Sequence, residues 1–344
     1  MKKAQPFMHP IRGKGRPQIV LIGNGLERKC PPTRPDPKGR TDQLSWADLL
    51  DRIKDENCLK LTKDEQEKLP FPLLYSLLSV PDPAPAKLDD EMIKAEESRL
   101  KEALGQLSQA STWRLDALKT LGADHILTTN YNYGLEQAFL PGKDFFSSGT
   151  RSYYRFNHTT ETKNGKPVRE VCYRLHTGYL ARNEDGSDVG LWHIHGECSV
   201  SHGVVLGHDR YGRLLSRIEK LCDSQKYDDM PDGSEPVAFR SWPALFLYGD
   251  VYIVGLNFAL SEFDLWWLLK RKQREQKADG RVFFYEQPDP ASLSQKMLRA
   301  HGVVLPDVGA KKGDFDDFYK KAFADIAARI KKNRISATPD KGNV

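Results

Sequence analysis

Four short clusters in this chain carry residue types that can hold a phosphorylated sugar and act on it. The first is Gly23-Asn24-Gly25-Leu26-Glu27, a glycine turn directly after the apolar run QIVLI. Glycines at such a point let the backbone approach a pyrophosphate, with amide N–H groups aimed at its charge. Arg28 stands where the third glycine of a full GxGxxG would be, so a tight turn with no ligand is the competing reading. The second cluster is Thr128-Thr129-Asn130-Tyr131-Asn132. Asn130 and Asn132 lie two apart and would share a face of an extended strand. Carboxamides there donate to and accept from ribose hydroxyls or a water; the alternative is an Asx turn that opens the next helix.

The third cluster is His193-Ile194-His195-Gly196-Glu197. An imidazole titrates near neutral pH and suits general-base work on a hydroxyl. Gly196 beside it would let a bulky ligand pass close to the backbone. His193-x-His195 also resembles half of a metal site, but no third ligand follows at a convincing spacing, so no metal is expected. One of the two histidines is expected to reach a ligand and the other to be satisfied in the core. The fourth cluster is Gly255-Leu256-Asn257, with Ser261 and Asp264 beyond it, at the end of a buried strand that can receive an adenosine ribose. Asp264 reads equally well as helix-end electrostatics.

The elements around these clusters say how they are positioned. QIVLIG, DHILTTN, LWHIHGE, DVYIVGLNF and RVFFYE are short apolar runs that end in glycine or polar residues, as buried parallel strands do. GVVLGHD reads as a further strand end and HGVVLP as a last strand. Helical patterns stand between them: LSWADLLDRI with Ser45 as N-cap, RYGRLLSRIEKLC, SEFDLWWLLKRKQREQ, and a C-terminal helix with Phe315, Phe318, Tyr319, Phe323 and Ile326 on its apolar side. This alternation predicts an α/β fold, a doubly wound Rossmann-like parallel sheet whose ligands sit at the carboxyl ends of the strands. All four clusters would then meet on one edge. The expected organisation is a flexible basic arm over 1–16, a catalytic domain over 17–330, and a tail over 331–344. Within the domain, a helical insertion covers about 60–122. A β-rich insertion covers 141–190, where SYYRFN and REVCYRLHT look like hairpin strands. Trp266 and Trp267 read as core and interface packing, and the run 270–277 as a solvated helix end.

Composition narrows the class. Of 344 residues, 39% are hydrophobic and 29% charged, as in an ordinary globular protein large enough to bury a core without staples. The five cysteines are scattered and form no CxxC pair, which excludes a disulfide framework and a four-cysteine zinc ribbon and points to reduced thiols and a cytoplasmic location. No run reaches a membrane span; the closest, ALFLYGDVYIVGLNFAL, is broken by Gly249, Asp250 and Gly255. The net charge of +5 is interspersed, so nucleic acid is expected only as an indirect partner and a membrane not at all.

Taken in order, GNGL with SWADLL, LTTNYNYGLEQAF, HIHGE, VVLGHDRYGRLL and IVGLNFALSEFDLWWLL resemble the sirtuin-like family, nearest to its divergent bacterial branch of NAD hydrolases in antiphage defence. The resemblance runs from about residue 18 to 286. It implies that NAD is bound as substrate and cleaved to ADP-ribose and nicotinamide, with His195 and Asn130 catalytic. Gly23, Asn24 and Gly25 would hold the phosphates, Asn132 would contact the nicotinamide side, and Gly255 and Asn257 would sit at the adenosine ribose; Leu26, Thr128 and Asp264 would be further nucleotide-binding residues. Asn132 stands where the family carries Asp, and Leu26-Glu27 where a serine is usual. A homo-oligomer is expected, gated by a partner protein such as an ATPase, nuclease or sensor, because an unregulated NAD hydrolase would kill its host. A non-catalytic nucleotide-binding subunit of a defence complex, and an ADP-ribosyl transferase or deacylase, are the other classes that fit.

Overall fold

A computed structural model describes residues 7–10, 13, 15–40, 46–157, 162–163, 166–167, 175–224, 236–276 and 278–335. The run QIVLI is buried at every position, as a strand covered on both faces must be. It is β1 (Gln18–Ile22) of a seven-stranded sheet with β2 (His125–Thr128), β3 (Arg155–Asn157), β4 (Thr177–Arg182), β5 (Asp188–His193), β6 (Asp250–Val254) and β7 (Val282–Tyr285). The order is β7-β6-β1-β2-β5-β4-β3. The first five run parallel; β4 and β3 extend the β5 edge antiparallel.

Successive strand side chains point to opposite faces, and here each face has its own helical layer. Val20, Ile22, Tyr252 and Val254 pack with Leu49, Leu104, Phe318 and Ile326. Ile19, Leu21, Val251 and Ile253 pack with Leu214, Phe246, Leu265 and Leu268 on the other side. Each such burial contributes roughly 1.5–3 kcal/mol, so the sheet is held from both faces. The result is the expected Rossmann-like architecture. Among the described residues no helix is long and apolar enough to cross a membrane, and Cys30, Cys58 and Cys198 form no disulfide.

Local structure keeps to the expectations in some places and departs from them in others. The segment 60–122 is mainly helical, with Lys63–Lys68, Phe71–Leu78, Asp90–Gly105 and Trp113–Ala117. The segment 141–190 supplies strands β3 and β4, which continue the main sheet at its β5 edge. Within SYYRFN, residues up to Tyr154 are helical (Ser148–Tyr154) and only Arg155–Asn157 is strand. Arg151 donates to the carbonyls of Phe145 and Phe146 and pins that helix to the chain before it. Val204, Val205 and Leu206 are buried but form no strand, and Val304 makes only an isolated bridge to Phe283. The first part of the long apolar run is a helix, Trp242–Tyr248, buried at all seven residues and opened by a proline; a uniformly apolar run carries no period to reveal this.

Charge and exposure also differ from expectation in places. Met8–His9 pairs antiparallel with Val237–Ala238, so this part of the arm is docked, and Arg16 is ion-paired with buried Asp250 at 3.0 Å. Lys272, inside the run read as solvated, turns inward and donates to the carbonyls of Phe246, Leu247 and Gly249, closing the end of the Trp242–Tyr248 helix. The C-terminal helix reaches Ile335 and buries Phe318, Tyr319, Phe323 and Ile326, whereas Phe315 is exposed. Ser45, Lys2, Lys3, Arg12, Lys14, most of REVCYRLHT and the tail from 336 lie outside the described residues.

Candidate active site

Strand register aligns the four clusters. Val254 pairs with Ile22, Ile22 with Thr128, and Thr128 with His193, so one straight line crosses four parallel strands. The residues that follow this line, from Gly255, Gly23, Thr129 and Ile194 onward, leave the sheet together at its carboxyl edge. The chain moves from β1 to β2 on one side and returns to β6 on the other, so β1 and β6 flank the topological switch point, where such sheets open a ligand crevice.

At the switch point the glycines serve a loop-to-loop contact. Gly25 N–H donates to Gly255 O at 2.8 Å. A Cβ on Gly23 would lie 2.8 Å from Leu256 Cδ1, and one on Gly25 would lie 2.7 Å from Gly255 O. Gly255 has φ +68°, and a Cβ there would meet Leu26 Cδ1 at 2.0 Å. Leu26 itself is core. The amides of Leu26, Glu27 and Arg28 bond to Gly23 O and Asn24 O within the turn. Those donors, read from sequence as facing a pyrophosphate, are thus engaged inside the protein. Asn24 is half-buried and Asn257 exposed.

Glu27, the residue that ends the turn, is buried and sits between the two asparagines. Asn130 Nδ2 donates to its Oε1 at 2.8 Å, and Asn132 Nδ2 donates to its Oε2. The two departures noted in the sequence, Glu27 and Asn132, are therefore in contact: the carboxylate missing at 132 arrives from the neighbouring strand's turn. Burial pushes the Glu27 carboxyl up to about 7, against the pull of the Asn132 and Asn130 amides. Thr128 Oγ1 accepts from Asn130 N–H at 3.0 Å and shapes the turn that presents the carboxamide. His193 braces the same turn from the side, with Nδ1 on Asn130 O at 2.8 Å and Nε2 on buried Glu136 at 3.0 Å. His193 is thus the histidine satisfied in the core.

His195 is held by a second carboxylate pair. Its Nε2 lies 3.0 Å from Asp264 Oδ2, and its Nδ1 lies 3.8 Å from Glu262 Oε2. Burial disfavours the imidazolium, yet the charge and hydrogen bond of Asp264, with Glu262, hold the imidazole above its ordinary value. Burial pushes Glu262 up to about 7, and Tyr211 donates to it at 3.2 Å. Asp264, read from sequence as a nucleotide-binding residue or as helix-end electrostatics, is the hydrogen-bond partner of His195. Gly196 has φ +93°, and its missing Cβ makes room for Gly203 O at 2.3 Å, a protein segment where the sequence reading placed a ligand.

Residues 130 and 195 each lie two beyond the paired Thr128 and His193, past the ends of adjacent strands. Their side chains grip different partners, Glu27 and Asp264, and among the described residues no hydrogen bond joins them. Sequence reading missed Glu27, Glu136 and Glu262 as working residues. Glu136 left a signal, as an acid within GLEQAF, which is buried at all six positions.

A search of the curated proteins found no match. A family model described as SIR2-like domain matches residues 124–305, more than half of the chain and the part that supplies three of the four strand-end clusters. The chain belongs to the SIR2-like domain family.

Proposed function

We propose that this protein is an NAD hydrolase that releases nicotinamide and ADP-ribose, an effector of antiphage defence. The observation that carries the reading is the buried Glu27 clasped by Asn130 and Asn132 on the edge where four strand ends meet. The reaction breaks the bond from ribose C1′ to the nicotinamide nitrogen, which departs with the electron pair. Water forms the new C1′–O bond. Glu27 accepts the water's proton and, while ionised, faces the positive charge that builds on the ribose. Asn130 holds the water and the ribose. Asn132 Oδ1 is buried without a hydrogen-bond partner, and such an acceptor suits the carboxamide N–H of nicotinamide. His195, oriented by Asp264, offers Nδ1 to a ribose hydroxyl. None of these steps calls for a metal.

Nicotinamide release by the purified protein tests this. Asn130→Ala and His195→Ala should each lose about 10²–10⁴-fold in kcat; unchanged release in both would refute the assignment. Gating belongs to the same reading. Activity is set by homo-oligomerisation or by a partner protein, so the isolated monomer should release nicotinamide far more slowly than the assembled form. Full constitutive turnover in a monomer would contradict that. The engaged turn amides and the occupied Nε2 of His195 favour one other reading, a nucleotide-binding subunit without turnover. Calorimetric NAD binding with no nicotinamide released, partner present, would select it.

A further inference from the structure

We infer that a basic cleft beside the first turn binds the diphosphate of a nucleotide through side chains of the C-terminal segment. The cleft has a volume of about 830 Å³ and is lined by Gly25, Arg28, Lys29, Arg114, Lys311 and Lys312, closed by Phe315 and Tyr319. Its acids are Asp314 and Asp316, and both are committed: Asp314 accepts from Asp317 N–H at 3.0 Å, and Asp316 from Arg114 Nη2 at 2.7 Å. Arg28, Lys29, Lys311 and Lys312 are exposed, and none forms an ion pair among the described residues. Five cations, Arg28, Lys29, Arg114, Lys311 and Lys312, face two acids around one cleft, and this excess of positive charge draws in an anion. Lys29 is held at φ +51°, in the left-handed region that a lysine adopts only at a cost.

The floor of the cleft ties it to the candidate active site. Arg114 is buried and lies over the Tyr319 ring at 4.4 Å. Its Nη1 donates to Gly25 O and Arg28 O, on either side of Glu27, and its Nε is buried without a partner. An anion here therefore sits on the clamp of the turn that carries Glu27. Since the amides of Gly25, Leu26, Glu27 and Arg28 are engaged, side-chain cations take up the phosphate recognition that those amides would otherwise supply. Phe315 is 55% exposed on the cleft wall, which leaves a ring face for a purine and favours a nucleotide over a free phosphate.

The diphosphate has two sources, the substrate itself or a separate nucleotide; the substrate source rests on the NAD-hydrolase reading, the binding does not. Calorimetry of the full chain with ADP and with inorganic pyrophosphate tests the cleft. ADP should bind and weaken with salt. Lys311→Glu with Lys312→Glu should cost about tenfold or more in affinity at unchanged melting temperature, because both side chains are exposed. Phe315→Ala should weaken ADP and leave pyrophosphate unchanged. Displacement of ADP by a non-hydrolysable NAD analogue would assign the site to the substrate's diphosphate, and simultaneous binding would assign it to a separate nucleotide. No binding of either probe by the unaltered protein, or equal affinity in the double variant, would overturn the proposal. Nicotinamide release is not the readout, so failure of the hydrolase reading and failure of this one are told apart.

Discussion

Glu27→Gln is expected to abolish nicotinamide release and, at the same time, to make the protein more stable above neutral pH. The first effect follows from its role as proton acceptor, worth about 10²–10⁴-fold in kcat. In the unaltered protein kcat should rise with pH through about 7, as the buried carboxyl loses its proton. The second effect follows from linkage. Unfolded, Glu27 ionises near the ordinary 4.5; folded, near 7. Between these values the folded chain holds a proton the unfolded chain has lost, so stability falls as pH rises from 4.5 to 7 and the full penalty stands above it. At roughly 1.4 kcal/mol per pH unit this is about 3 kcal/mol, which the neutral glutamine avoids. A turn of the Asn132 amide presents its partnerless Oδ1 to the new N–H donor. Denaturant melts at pH 4 and pH 8 check the claim: the variant should gain at pH 8 and match the unaltered protein at pH 4, below the unfolded-state value. Equal stability at both pH values, or retained turnover, would count against the role of Glu27. Such a trade of stability for activity is usual where a charge is buried for chemistry.

Gly196→Ala is expected to be strongly destabilising, because among the described glycines of positive φ it has the closest backbone neighbour. The residue has φ +93°, and an added Cβ would lie 2.3 Å from Gly203 O and 2.8 Å from Val204 Cα, all backbone. That segment is tied to the site, because Val205 N–H donates to His195 O at 2.9 Å. Left-handed backbone costs about 1–2 kcal/mol for a side chain, and overpacking about 1–3 kcal/mol more, so a loss of about 2–5 kcal/mol is expected. The displaced loop should carry His195 away from Asp264 and lower kcat in whatever fraction stays folded. Gly186→Ala is the control: φ is +82° but a Cβ there meets nothing within 4 Å, so only the backbone cost applies. Urea unfolding of the two variants should separate them clearly; similar losses would mean that the 203–204 segment yields.

The frame of this site was legible in the sequence because parallel strands leave a strong mark. Runs such as QIVLI and DVYIV, buried on both faces, read as strands, and each ends in the glycine or polar residues that leave the sheet. The pairing of Glu27 with Asn130 and Asn132 was not legible, since it joins residues more than a hundred positions apart. The glycines were legible as turns but not in their purpose. A missing Cβ looks the same in sequence whether a ligand or another loop fills the space, and at Gly23, Gly25 and Gly196 it is another loop. Lys272 was hidden for a similar reason: within KRKQREQK nothing marks Lys272 as a cation that turns inward to three carbonyls. The cleft escaped notice because its cations come from both ends of the chain, at 28–29 and 311–312.

Convergence of these strand ends on one ligand is best tested by side-chain nitrogen NMR during titration with a non-hydrolysable NAD analogue. The amide signals of Asn130 and Asn132 and the imidazole signals of His195 should all shift along a single binding curve. Movement of the asparagines with a silent His195, or of neither, would show that the edge does not assemble one site.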